Sequence, residues 1–220
     1  IALLEDKEIA EVRADGVRIL TPMGGERPVR TFHVDWDVAA AEKGGWPHFM
    51  LKEIHEEPEA LQKTFTAHVD AQRMTLRQEA FPMTAPQAQA LRKMSLVACG
   101  TAYHAGMIGK YLMERLARLP VEAEVASEFR YRNPILGAED LCMAVSQSGE
   151  TADTLAALRE ARKSGARIMA LTNVVGSSMA RETEGNVLFT WAGPEIAVAS
   201  TKAYITQVEM MLLIAVDLGL

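Results

Sequence analysis

The chain is short of several things, and each shortage excludes a class of protein. It has only two cysteines in 220 residues, Cys99 and Cys142, each at the end or in the middle of an apolar run. That pair implies no disulfide framework and fits a reducing, cytoplasmic setting. Positive charge is not in excess: 23 Lys and Arg stand against 29 Asp and Glu, a formal net charge of -6. A nucleic-acid-binding module usually shows a basic face, so that class is disfavoured. Long hydrophobic runs are missing as well. The apolar stretch Met210 to Val216 is far too short to span a bilayer, and Glu5, Asp6 and Glu8 interrupt the start where a signal peptide would need an apolar core. No internal repeat, no low-complexity tract and neither GxxxxGK[ST] nor GxGxxG occurs. What remains is an ordinary globular composition, 49% hydrophobic and 24% charged. The chain starts at Ile1 rather than Met and stops inside an apolar helical pattern at Leu220. Both ends are therefore expected to be cuts through a longer polypeptide.

Four stretches differ in texture. Residues 1–20 read as short strands: Ile1 to Leu4, then an alternating run from Ile9, a turn at Asp15-Gly16, and Val17 to Leu20. Residues 21–47 carry prolines and glycines with little periodicity and read as a linker. Residues 48–83 are helical in pattern, with Phe49, Ile54, Leu61, Phe65 and Val69 near helical spacing. Pro58 within them is expected to open a second helix near Glu56 or Glu57. From residue 84 to 220 apolar strands alternate with amphipathic helices. This order predicts an α/β fold, a parallel sheet covered on both faces. Ligands of such sheets bind at the carboxyl ends of the strands.

One such end stands out. The run Leu141 to Val145 stops at Ser146-Gln147-Ser148-Gly149-Glu150-Thr151, and a helical pattern begins at once. Strand, hydroxyl-rich turn with a glycine, helix N-terminus: this combination gathers N–H groups and hydroxyls around an anion. Ser146, Ser148 and Thr151 offer three hydroxyls, Gln147 an amide, and Gly149 a backbone free to bend. The turn has no Lys or Arg, which suits a monophosphate held at moderate affinity. The plainer reading is that Ser148 or Thr151 simply caps the helix. Two further turns join strand to helix. Thr101, after Cys99 and Gly100, either caps its helix or donates to a ligand. Val198-Ala199-Ser200 enters the last helix, where Ser200 suits an N-cap.

Other residues invite chemistry and have simpler explanations. Lys202 reads as a first-turn surface lysine rather than a catalytic amine. Cys99 near His104 reads as core rather than as a thiol nucleophile. Tyr103 and His104 read as packing on their helix. His48 and His55 are seven apart, not the i, i+4 pair that grips a metal from one helix. Glu53, Glu56, Glu57 and Glu59 read as a solvated helix face, and the twelve methionines as core filler.

The strings CGTAYHAG, ASEFRYR, SQSGETADTL, TNVVGSSMARE and AGPEIAVASTKAY occur in this order. Together they resemble the glutamine–fructose-6-phosphate aminotransferase (isomerising) family, over residues 1–220. The resemblance implies that residues 1–20 end a glutaminase domain, and that 48–83 form a helical interdomain segment. Residues 84–220 would be the first of two sugar-isomerase (SIS) domains, with a flavodoxin-like five-stranded parallel sheet between helices. It implies fructose 6-phosphate or glucosamine 6-phosphate as ligand, a homodimer through SIS domains, a cytoplasmic location, and no metal or cofactor. Thr101, Ser146, Gln147, Ser148 and Thr151 match phosphate-binding positions of the family, and Val198 and Ser200 match positions that touch the sugar. Ala102 stands where the family often has a serine, so one hydroxyl contact is in question. The family's glutamine-hydrolysing cysteine belongs upstream of Ile1, and its acid–base glutamate, Schiff-base lysine and ring-opening histidine downstream of Leu220. The stretch is therefore expected to bind the sugar without catalysing the reaction. Two rival readings are a stand-alone SIS module that senses phosphosugars for a regulator, and a simple phosphosugar isomerase.

Overall fold

A computed structural model of the chain describes residues 4–31, 41–72, 75–77 and 83–219. The chain divides into two compact units, residues 1–36 and 37–220.

The first unit is a small antiparallel sheet. β1 (Ile9–Arg13) pairs with β2 (Gly16–Leu20), Ile9 opposite Leu20, across a two-residue Ala14-Asp15 turn; the turn expected at Asp15-Gly16 thus falls one residue earlier, and Gly16 opens β2 opposite Arg13. A third strand, β3 (Glu26–Arg27), pairs with the far side of β2. It falls in the stretch that reads as linker, because two residues carry no periodicity. A tight turn delivers it: Gly24 N–H donates to Thr21 O and Thr21 N–H to Gly25 O, with Gly24 at φ +79°. Most of the strand expected at Ile1 to Leu4 lies outside the described residues; Leu4 itself is exposed and outside any strand.

The second unit opens with α1 (Phe49–His55) and α2 (Glu57–His68). Pro58 sits in the first turn of α2, as the sequence predicts, where its missing N–H costs nothing. The face these helices bury differs from the expected one. Ile54 and Phe65, two members of the apolar stripe, are exposed, whereas Lys52, Glu53, Thr64 and His68 are buried. Hydrogen bonds make that burial tolerable. The Thr64 hydroxyl reaches the carbonyl oxygens of Ala60, at 2.8 Å, and of Thr190. His68 Nδ1 lies 2.8 Å from Thr64 O, and burial holds its imidazole below the usual histidine range. A short hairpin, β4 (Val69–Asp70) with β5 (Thr75–Leu76), follows, then α3 (Ala85–Gln89) behind a Thr84–Gln87 capping box.

Next comes the alternating core: β6 (Lys93–Ala98), α4 (Thr101–Leu116), β7 (Val121–Val125), α5 (Ala126–Phe129), β8 (Asp140–Ser146), α6 (Ala152–Lys163), β9 (Arg167–Thr172), α7 (Ser178–Glu182), β10 (Val187–Phe189) and α8 (Lys202–Gly219). Five strands form one parallel sheet in the order β10-β9-β8-β6-β7. This is the expected flavodoxin-like order, with its switch point between β6 and β8. Side chains alternate across the sheet as a strand requires. Met94, Leu96, Leu141, Met143, Val145, Met169 and Leu171 share one core with Met113 of α4 and Met210, Met211 and Ile214 of α8. Val97, Cys142, Ala144 and Ala170 pack on the other face with Phe129, Leu155, Leu158 and Met179. Both faces being covered explains why the strands read as unbroken apolar runs.

Helix α4 is itself a middle layer. Its small residues allow this: a Cβ at Gly106 would meet Leu96 Cβ of the sheet at 3.6 Å, and one at Gly109 would meet Met211 Sδ of α8 at 2.6 Å. Gly109→Leu is therefore expected to cost about 1–3 kcal/mol by overpacking, while Gly106→Ala stays near wild type. Urea midpoints check both, and a Gly109→Leu chain as stable as the parent would refute the close crossing. On α8, burial raises the Glu209 carboxyl to about 7. The folded chain thus keeps a proton that the unfolded chain releases near pH 4.5, and this group's contribution to stability is lost as pH rises from about 4.5 to 7. Glu209→Gln removes this loss, so its melting temperature is expected to match the parent at pH 4 and exceed it at pH 8. Parallel melting curves across that range would contradict the assignment.

Candidate functional site

Strand register sets the site. Ala98 of β6 is level with Val145 of β8, and Ser146 with Thr172 of β9, so the chain leaves these strands at one height. At the switch point the turn after β6 and the turn after β8 diverge, and a cleft opens between them. Its floor is formed by Cys99, Thr101, Ala102 and Val145. One wall is Ser146, Gln147, Ser148 and Thr151; the other is Glu195, Ala197, Val198 and Ser200, with Gln207 of α8. The pocket volume is about 230 Å³. Every residue singled out in the sequence (Thr101, Ser146, Gln147, Ser148, Thr151, Val198 and Ser200) lines this one pocket, and Ala102 sits among them.

The 146–151 turn is cross-linked by hydrogen bonds. Ser146 Oγ lies 3.0 Å from Thr151 Oγ1 and accepts from Gly149 N–H at 3.1 Å; Ser148 Oγ accepts from Glu150 N–H at 3.2 Å. From behind, Asn173 N–H and the Thr172 hydroxyl donate to Gln147 O, and Met179 N–H to Gly149 O. Glu150 points away and accepts from Ser178 N–H at 2.7 Å, so it serves α7 rather than α6. Gly149 is required on two grounds. Its φ is +67°, and a Cβ there would lie 2.3 Å from Ser177 Oγ.

The capping alternative fails at this turn. Thr151 holds the N-cap position of α6, yet its side chain makes no cap hydrogen bond. Its hydroxyl faces Ser146 instead, and the first N–H groups of α6 are left without a side-chain cap. The start of α4 is similar: Gly100, at φ +60°, is the N-cap, and Thr101 is an exposed first helical residue. Two helix N-termini with their partial positive charge therefore meet the pocket without side-chain caps.

The second wall is built differently from expectation. Ser200 is not a simple N-cap: its hydroxyl donates to Glu195 Oε2 at 3.0 Å. The Glu195 carboxylate does the capping, accepting from Thr201 N–H at 2.9 Å and Ala203 N–H at 3.1 Å. Val198, between them, is fully exposed. Lys202 is no surface lysine. It is 3% exposed, and its Nζ lies 2.6 Å from Glu56 Oε2. Nor are Glu53 and Glu56 a solvated face. Glu53 is 2% exposed and accepts from Ile196 N–H at 2.6 Å and Ala197 N–H at 3.2 Å. Sequence reasoning missed these contacts because acidic residues on a helix are indistinguishable by pattern from solvated ones. Cys99, read as core, lines the pocket and receives a weak contact from the Thr154 hydroxyl at 3.9 Å. Cys142 is fully buried, and desolvation pushes its thiol to about 12, so it is not a nucleophile. Among the described residues no three His, Cys, Asp or Glu side chains gather around a possible metal position, and no helix is long and apolar enough to cross a membrane.

Comparison with known proteins follows the same lines. The chain is 54% identical over 219 residues, all of its length, to glutamine–fructose-6-phosphate aminotransferase (isomerizing) of Symbiobacterium thermophilum. It is 53% identical over 215 residues, 98% of its length, to the enzyme of the same name from Clostridium tetani. It covers 36% and 35% of those proteins, so it spans about a third of the length of the curated relatives it matches. Among solved structures it resembles the C-terminal domain of glucosamine-fructose-6-phosphate aminotransferase from Francisella tularensis. The TM-score is 0.75 with 39% identity, over 81% of this chain and 50% of that one. The sequence profile described as SIS domain matches residues 89–217, the stretch that holds the sheet, its helices and the pocket. The chain therefore belongs to the SIS domain family.

Proposed function

We propose that this chain is the sugar-phosphate-binding part of a glutamine–fructose-6-phosphate aminotransferase (isomerizing), and that its ligand is fructose 6-phosphate or the product glucosamine 6-phosphate. The observation that carries this reading is the convergence of three strand-end turns on one small polar pocket. At about 230 Å³ it lies below the roughly 300–1,000 Å³ of drug-sized sites and suits a ligand no larger than a hexose phosphate. In this reading the phosphate sits in the 146–151 turn against the uncapped N-terminus of α6, with Thr101 across from it. Val198 and Ser200 face the sugar. Ala102 gives up the hydroxyl that relatives with serine offer there, and backbone or water would take over that contact.

The chemistry needs groups outside this stretch. In the whole enzyme, ammonia from glutamine adds to the C2 carbonyl of the sugar, and amination with isomerisation gives the amino sugar. The chain's share is to bind and orient the substrate; on its own it is expected to make no glucosamine 6-phosphate. Lys202, tied to Glu56, and His104, at the surface, are not substitutes for the missing catalysts. The reading includes a homodimer through SIS domains and a cytoplasmic location, the latter in keeping with two free cysteines.

Titration calorimetry with fructose 6-phosphate tests the pocket. A hydrogen bond to a charged group contributes about 1.5–3 kcal/mol, so Ser148→Ala with Thr151→Ala is expected to weaken binding at least about tenfold. Unchanged affinity would remove the phosphate from this turn. Gly149→Ala forces a left-handed alanine against Ser177 and is expected to destabilise the fold by about 1–3 kcal/mol and weaken binding further. A variant with the parent's melting temperature and affinity would contradict the steric argument.

A further inference from the structure

The pocket's two walls are held in unlike ways. The 146–151 wall is fastened to the sheet by backbone and threonine contacts from β9 and α7. The other wall, residues 194–200, has no regular structure, and among the described residues no backbone–backbone hydrogen bond holds it. Its backbone N–H groups meet a side chain from far back in the chain. Glu53 of α1, 143 residues from Ile196, receives Ile196 N–H at 2.6 Å and Ala197 N–H at 3.2 Å on one oxygen, with Ala197 also 3.3 Å from the other. One turn later on α1–α2, Glu56 binds Lys202 Nζ at 2.6 Å, at the end of the same loop. A buried carboxylate is expensive to desolvate and is retained only where it is fully bonded. Here its partners are two amides of the pocket's wall.

We infer that Glu53 is a positioning residue for the sugar end of the pocket: its carboxylate fixes the 196–197 backbone and so sets Val198 and Ser200. The inference rests on the reading of the pocket as a sugar-phosphate site and adds a residue outside the pocket to it. Glu53 does not line the pocket and acts only through the loop. Because the phosphate wall is anchored independently, loss of Glu53 should be felt by the sugar and not by the phosphate. An ordinary weakening of the fold would affect both alike.

The test compares two probes, fructose 6-phosphate and inorganic phosphate, by calorimetry on the unmutated chain, Glu53→Ala and Glu53→Gln. Glu53→Ala is expected to weaken fructose 6-phosphate about tenfold and inorganic phosphate less than about twofold. Glu53→Gln, whose amide oxygen still accepts from both N–H groups, should restore most of the sugar affinity. Should Glu53→Ala fail to fold, amide hydrogen exchange on the unmutated chain decides. Ile196 and Ala197 amides must then exchange far more slowly than those of Val198 and Ala199, and equal exchange overturns the anchoring. If the unmutated chain binds phosphate and sugar phosphate and Glu53→Ala weakens both equally, or neither, the pocket stands and the positioning role falls. If the unmutated chain binds neither probe, the pocket reading fails and the role of Glu53 fails with it.

Discussion

The site depends first on the parallel register of β6 and β8. Because Ala98 and Val145 lie at one level, the turns that form the pocket's floor and its 146–151 wall leave the sheet together. A slip of one residue would turn every alternating side chain to the wrong face and separate the turns. The register is held by the two cores on either side of the sheet, so the methionines and leucines of those cores fix the pocket's shape without touching its contents.

Away from the sheet, a polar shoulder is the second organising feature. α1 and α2 turn their charged and hydroxylated side inward and leave Ile54 and Phe65 exposed. Amphipathic logic predicts the reverse. The inversion is stable because the groups turned inward have specific partners: Glu53 the loop amides, half-buried Glu56 the buried Lys202 ammonium, Thr64 the Thr190 carbonyl. Nonspecific apolar packing would tolerate sliding of the helices, whereas these directional contacts define one seat for them.

The sequence was most legible where local chemistry and tertiary environment agreed. The strand runs at 95–99 and 141–145, the proline-opened α2 and the helix after Thr151 all lie close to where periodicity and turn residues put them. The 146–151 turn was legible as a candidate anion site because hydroxyls and a glycine gather there at a strand end, whereas Val198 and Ser200 came from the family resemblance. What could not be read was the destination of long-range partners. Nothing in the string HFMLKEIHEEPEAL separates Glu53 and Glu56, which are drawn inward, from Glu57 and Glu59 in the same segment. The difference is made by residues more than a hundred positions away. Two-residue strands such as β3 were illegible for a different reason: they are shorter than the period that would reveal them.

The way α8 is capped has a consequence for any anion that enters. Three helices begin around the pocket, but they are not equivalent. The N-termini of α4 and α6 have no side-chain cap, whereas that of α8 is already occupied by the Glu195 carboxylate. One end of the cavity thus attracts negative charge and the other repels it. In the proposed reading, that axis favours one orientation of a molecule with a charged head and a neutral body, without any lysine or arginine to guide it.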